Sequence, residues 1–76
     1  MNDKRRQMLR RAIDMLDAAE TVVSAALDQE QDSLDNMPEN LENSERYDIL
    51  EYNIGKLEEA VEGITEASAC ISEAIE

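Results

Sequence analysis

A chain of 76 residues can form one domain at most, with a core that covers only a modest share of its surface. Two tyrosines are its only aromatic residues, and one proline and two glycines supply little turn chemistry. That argues against a β-rich fold with many turns and leaves the packing to Leu, Ile, Val, Met and Ala. The formal net charge of −12 disfavours nucleic acid and anionic lipid as direct partners.

The charge is unevenly spread. Residues 1–30 carry five basic and six acidic side chains, whereas residues 31–76 carry two and thirteen. An acidic second half suits a basic protein partner or imitation of a phosphate backbone. It also serves simply to keep an apolar-striped chain in solution. Cys70 is the only cysteine, so an internal disulfide is impossible, and a lone thiol fits a reducing compartment. No apolar run approaches the ~20 residues that span a bilayer. Asp14 and Asp17 interrupt the stretch behind the charged N-terminus, which is unlike a signal peptide. The expectation is a soluble cytoplasmic protein with no membrane partner.

Taken in order, Asn2 or Asp3 can cap a first helix by accepting hydrogen bonds from free backbone N–H groups. Lys4, Arg5, Arg6, Arg10 and Arg11 follow, and such charge at a helix N-terminus opposes the macrodipole. Leu9, Leu16 and Val23 repeat every seven residues, as do Met8, Met15 and Val22, and Ala12, Ala19 and Ala26. Ile13 and Leu27 extend this broad apolar surface. No glycine or proline interrupts the helix, predicted over about 3–36. Pro38 disfavours helical geometry at Met37 and can open a short turn of its own, so residues about 37–43 form the connection. Met37 and Leu41 are expected to plug the end of the helix pair.

Asn43 or Ser44 can cap the second helix, predicted over about 44–75. Its seam is the most regular feature of the chain. Tyr47, Ile54, Val61, Ser68 and Ile75 form one track, and Leu50, Leu57, Ile64 and Ile71 the other, with alternating spacings of three and four. Ala60, Ala67 and Ala74 lie beside it, matching the alanines of the first helix. The matched tracks predict an all-α fold, an antiparallel helical hairpin with the alanines facing inward. Leu9, Leu16, Val23, Leu50, Ile54, Leu57, Val61, Ile64 and Ile71 are its expected packing and dimer residues. Antiparallel pairing would set the N-terminal basic cluster beside Glu62, Glu66, Glu73 and Glu76. Met8, Met15 and Val22 on one flank of the first helix, Ile13 and Leu27 on the other, and Ile49 and Cys70 on the second exceed what one neighbour can cover. A homodimer forming a four-helix bundle is therefore expected.

Little chemistry is written into the chain. Without histidine it lacks the commonest general base and metal ligand. Cys70 has no basic neighbour in sequence to activate it and reads as a small apolar filler. Carboxylates do occur at helical spacing: Asp14 with Asp17, Glu58 or Glu59 with Glu62, and Glu62 with Glu66. Such pairs hold magnesium in all-helical nucleotide pyrophosphohydrolases, but nineteen acids in 76 residues make chance pairs expected. The loop acids Asp32, Asp35, Glu39 and Glu42 lack the glycine and ligand rhythm of an EF-hand. There is no glycine-rich phosphate loop. The N-terminal basic cluster could touch phosphates, but an acidic helix would lie beside it with no aromatic stacking platform. No catalytic residue, metal or other cofactor is expected.

The string Ser33-Leu-Asp-Asn-Met-Pro-Glu-Asn-Leu-Glu-Asn-Ser-Glu-Arg-Tyr47, followed by Ile54-Gly-Lys-Leu-Glu-Glu-Ala60, resembles a group of small acidic helical proteins. These are encoded in bacteriophages, prophages and mobile elements, and most are of unknown function. The resemblance spans about residues 30–65 and supplies no catalytic residues. It implies a phage or mobile-element origin, a bacterial host cell, and binding rather than chemistry. The leading expectation is thus a non-catalytic protein–protein interaction module that modulates or inhibits a host protein. Asp48, Glu51, Glu58, Glu59, Glu62, Glu66 and Glu73 would meet a basic, nucleic-acid-binding surface on that host protein by acidic mimicry. The alternative is a structural or assembly scaffold with no host target, and a metal-dependent nucleotide hydrolase comes third.

Overall fold

Asn2 sets the chain on its first helix. Its backbone is extended, and its side-chain Oδ1 accepts the Arg5 backbone N–H at 2.8 Å, satisfying one of the donors that a helix start leaves free. The structure, a computed structural model, describes residues 1–41 and 44–76. Helix α1 runs Asp3–Asp35, and Asn36 ends it with its N–H bonded to the Asp32 carbonyl at 3.0 Å. Pro38 follows, with a short 3₁₀ turn over Glu39–Leu41. Ser44 then caps helix α2, Glu45–Ile75, accepting the Tyr47 N–H on Oγ at 3.2 Å. Asn43 as a cap and the Leu41 side chain as a plug lie outside the described residues, whereas Met37 is half-buried.

The two helices pack against each other in opposite directions, in a Cα envelope of 59 × 14 × 13 Å. No strand occurs among the described residues. Two long-range hydrogen bonds fix which residues stand level. Arg6 Nε donates to the Ile75 carbonyl at 3.2 Å near one end, and Asn53 Nδ2 donates to Glu30 Oε2 at 3.4 Å toward the other. On α2, all nine residues of the Tyr47–Ile75 seam are half-buried or buried. Leu50 at 9% and Ile54 at 7% relative exposure are the most enclosed.

On α1 the seam runs through Arg6, Leu9, Ile13, Leu16, Glu20, Val23, Leu27, Glu30 and Leu34, all half-buried, with Ala12, Ser24 and Gln31 half-buried at its margins. Ile13 and Leu27 therefore sit in the seam, and not on a spare flank as expected. Glu20 interrupts an otherwise aliphatic centre as a half-buried carboxylate. The inward alanine tracks are also overturned. Ala19, Ala26, Ala60, Ala67 and Ala74 are exposed, and only Ala12 is half-buried. Each lies one residue before a seam position, which rotates it about 100° around its helix and off the contact.

The expected ion pairs between the two ends are likewise not formed. Among the described residues, the ion pairs are Arg6–Asp3 at 3.2 Å and Lys56–Glu59 at 3.1 Å, both within one helix. Lys4 and Arg11 lie on the back of α1, and Glu66 and Glu73 on the back of α2, so they point away from each other. Orientation is supported instead by Arg6. It is half-buried at the seam and caps a last-turn carbonyl of α2. Because α2 has no basic residue in its own last turn, α1 supplies the cation that its negative dipole end favours.

Candidate interaction surfaces

Outside the seam, every helix position faces one of two broad sides or the back of its helix. Handedness decides which positions share a side. In an antiparallel pair, the positions just before the seam on both helices fall on one side, and those just after it fall on the other. The surface relief agrees: one shallow groove is lined by Ala26 and Gln29 of α1 together with Asn53 and Lys56 of α2, along with the seam residues Glu30 and Leu57. A second joins Ser33 and Asn36 to Arg46.

On this first side, α1 presents Met8, Ala12, Met15, Ala19, Val22 and Ala26, and α2 presents Ile49, Ala60, Gly63, Ala67, Cys70 and Ala74. Met8, Met15 and Val22 are 59%, 66% and 69% exposed, far outside the range of packed residues. Cys70 is exposed as well, so it is not the packed filler the sequence suggested. None of the helix positions on this side carries a carboxylate, in a chain with nineteen. Its charges are Arg5, Arg46 and Lys56. A Cβ built on Gly63 would meet nothing within 4 Å, so no contact inside the single chain requires a glycine there.

The opposite side is acidic. Asp48, Glu51, Glu58 and Glu62 project from α2, all exposed. The other three expected acidic residues, Glu59, Glu66 and Glu73, lie on the back ridge of α2, so the seven form a curved band. Glu59 is engaged by Lys56, whose ammonium also stands 5.8 Å from the centre of the Tyr52 ring. Reading α2 alone missed the contribution of α1. Asp14, Asp17, Asp28 and Asp35 share the acidic side, and their position just after seam residues was the signal available. Gln31 Nε2 donates to Asp35 Oδ1 at 3.0 Å, so that carboxylate is partly satisfied from its own helix.

Of the expected packing residues, Leu50 and Ile54 are buried, and Leu9, Leu16, Val23, Leu57, Val61, Ile64 and Ile71 are half-buried. The carboxylate pairs considered for magnesium lie on exposed helix surface, and no three metal-binding side chains converge among the described residues. No described helix is long and apolar enough to cross a membrane. Comparison with protein-family models, curated proteins and solved structures found no match to this chain.

Proposed function

We propose that this chain is a non-catalytic protein–protein interaction module that presents its acidic side and α2 ridge to a basic protein partner. In the phage or mobile-element setting suggested by its loop string, that partner is a host protein in the bacterial cytoplasm, modulated or inhibited by occupation of a nucleic-acid-binding surface. The observation that carries this reading is the band of seven exposed carboxylates from Asp48 to Glu73. It spans about 38 Å of helix, with one carboxylate about every 6 Å. A DNA strand carries a phosphate about every 3.4 Å, so α2 alone has roughly half its linear charge density. The aspartates of α1 add to it from the same side.

The exposed Met8, Met15 and Val22 support a second element of the proposal, association of two hairpins into a four-helix bundle. They equally favour a scaffold role, in which assembly itself is the function. Capture from host lysate on the immobilised protein separates these readings. Charge mimicry expects a basic protein that is released by high salt or by added duplex DNA. The triple substitution Glu58→Lys, Glu59→Lys and Glu62→Lys should abolish its capture while leaving the helical circular dichroism intact. A partner retained through salt, DNA and charge reversal would overturn acidic mimicry.

A further inference from the structure

The side bearing Met8, Met15 and Val22 is most apolar in the half of the hairpin that contains both termini. Arg6 stands level with Ile75 and Glu30 level with Asn53, so Met8, Met15 and Val22 stand level with Ala74, Ala67 and Ala60. Bulky side chains thus line one edge of this side, and small ones line the other. We infer that this side is the contact between two copies of the chain, related by a two-fold axis parallel to the helices. Met8, Met15 and Val22 of one copy then rest over Ala74, Ala67 and Ala60 of the second. The inference rests on the homodimer reading above and adds which face is used and which symmetry relates the copies.

Three observations select this occupant and arrangement. The first is charge. Each copy carries −12, and contact through the opposite side would press carboxylates together, whereas the positions beside the seam on this side carry none, and the Glu30 carboxylate that reaches its groove accepts from Asn53 of its own chain. With this axis, Lys56 of one copy comes over Ala26 of the second and not over another cation. The second is area. The chain exposes 5764 Å², against about 4,700 Å² for a compact monomer of its mass. The excess, about 1,000 Å², is comparable to the ~800 Å² that each partner buries in a standard stable interface. The third is shape. A two-fold axis across the helices would stack methionines on methionines and alanines on alanines, forcing two different separations within one bundle. An axis along the helices sets large over small at each of these levels, giving even spacing and close packing. Every contact is then made twice, as two-fold symmetry requires.

The native thiol offers the test. Cys70 stands level with Ala12, and the proposed axis brings Cys70 of each copy over Ala12 of the other. Within one chain these residues lie on the same side of neighbouring helices, each turned about 100° from the contact, which at roughly 8–10 Å between the axes puts their Cβ atoms beyond disulfide reach. The full chain carrying Ala12→Cys should oxidise under mild conditions to a covalent dimer, and its peptide map should join position 12 of one copy to Cys70 of the other. Adding Cys70→Ser should remove that link. Light scattering on the unsubstituted chain should give twice the chain mass. A dimer mass without the link between position 12 and Cys70, or with like-to-like links instead, would overturn the face and axis while leaving the homodimer reading intact. A monomer mass at high protein concentration would overturn both.

Discussion

At Met8, Ala12, Met15, Ala19, Val22 and Ala26, α1 turns methyl groups and a thioether edge outward. Half a turn round the same helix, Asp14, Asp17, Thr21, Ser24, Asp28 and Gln31 do the opposite. α2 repeats the contrast, with Ala60, Gly63, Ala67, Cys70 and Ala74 against Asp48, Glu51, Glu58 and Glu62. The backbone is the same helix on both sides, and in the single chain both sides meet water. The difference therefore lies in the side chains alone. Exposed single hydrophobic residues are ordinary on any protein. A side whose positions beside the seam carry none of the nineteen carboxylates, and on which Met8, Met15 and Val22 are 59–69% exposed, is the surface proposed above to be covered by a second copy.

The largest effect should come from removing what both sides share. Ile54→Ala cuts into the most enclosed point of the seam and should cost about 2–4 kcal/mol. In so small a hairpin that should abolish cooperative urea unfolding followed by circular dichroism. A milder break separates the two sides. Met15→Glu should weaken self-association roughly 100-fold by burying an unpaired carboxylate, read by sedimentation equilibrium. Asp17→Asn, on the acidic side, should leave the association constant unchanged. If both substitutions act alike, the contrast between the sides has no bearing on assembly.

Smaller effects sharpen the same picture. Glu20 occupies a seam position and takes part in neither of the ion pairs among the described residues. Glu20→Leu should therefore raise stability by about 1–2 kcal/mol while altering neither side. The gain should show as a higher urea midpoint. Gly55 lies on the acidic side, and a Cβ there would meet nothing within 4 Å. Gly55→Ala should thus return up to about 1 kcal/mol of helix propensity in thermal melts. Added salt should act least, raising the melting temperature slightly by screening exposed carboxylates from one another. A fall in melting temperature with salt would mean that attractive ion pairs outweigh this repulsion.

Much of the architecture was legible because helices obey a local rule. On α2 the three–four rhythm from Tyr47 to Ile75 and the observed burial coincide, and Ser44 and Pro38 punctuate the chain through their own backbone chemistry. On α1 the reading was less complete, because that helix carries two parallel apolar sets. Leu9, Leu16 and Val23 repeat every seven residues, and so do Met8, Met15 and Val22, so periodicity alone cannot choose which set faces the neighbour. The acidic side was half-read for a related reason, since carboxylates on two helices become one surface only after the helices are paired.

The amino-acid order by itself determined the two helices, the break at Pro38 and the α2 seam, and narrowed each cap to two neighbouring residues, because all of these depend on contacts a few residues apart. Tertiary structure decided that Ile13 and Leu27 enter the seam, that the matched alanines other than Ala12 leave it, and that Arg6 donates to a last-turn carbonyl of α2, while its ion pair among the described residues is with Asp3 of its own helix. Those outcomes depend on the distance between helix axes and on the level at which residues meet. Both are set by the summed packing of large side chains from two distant segments, and no short stretch of either segment contains that information.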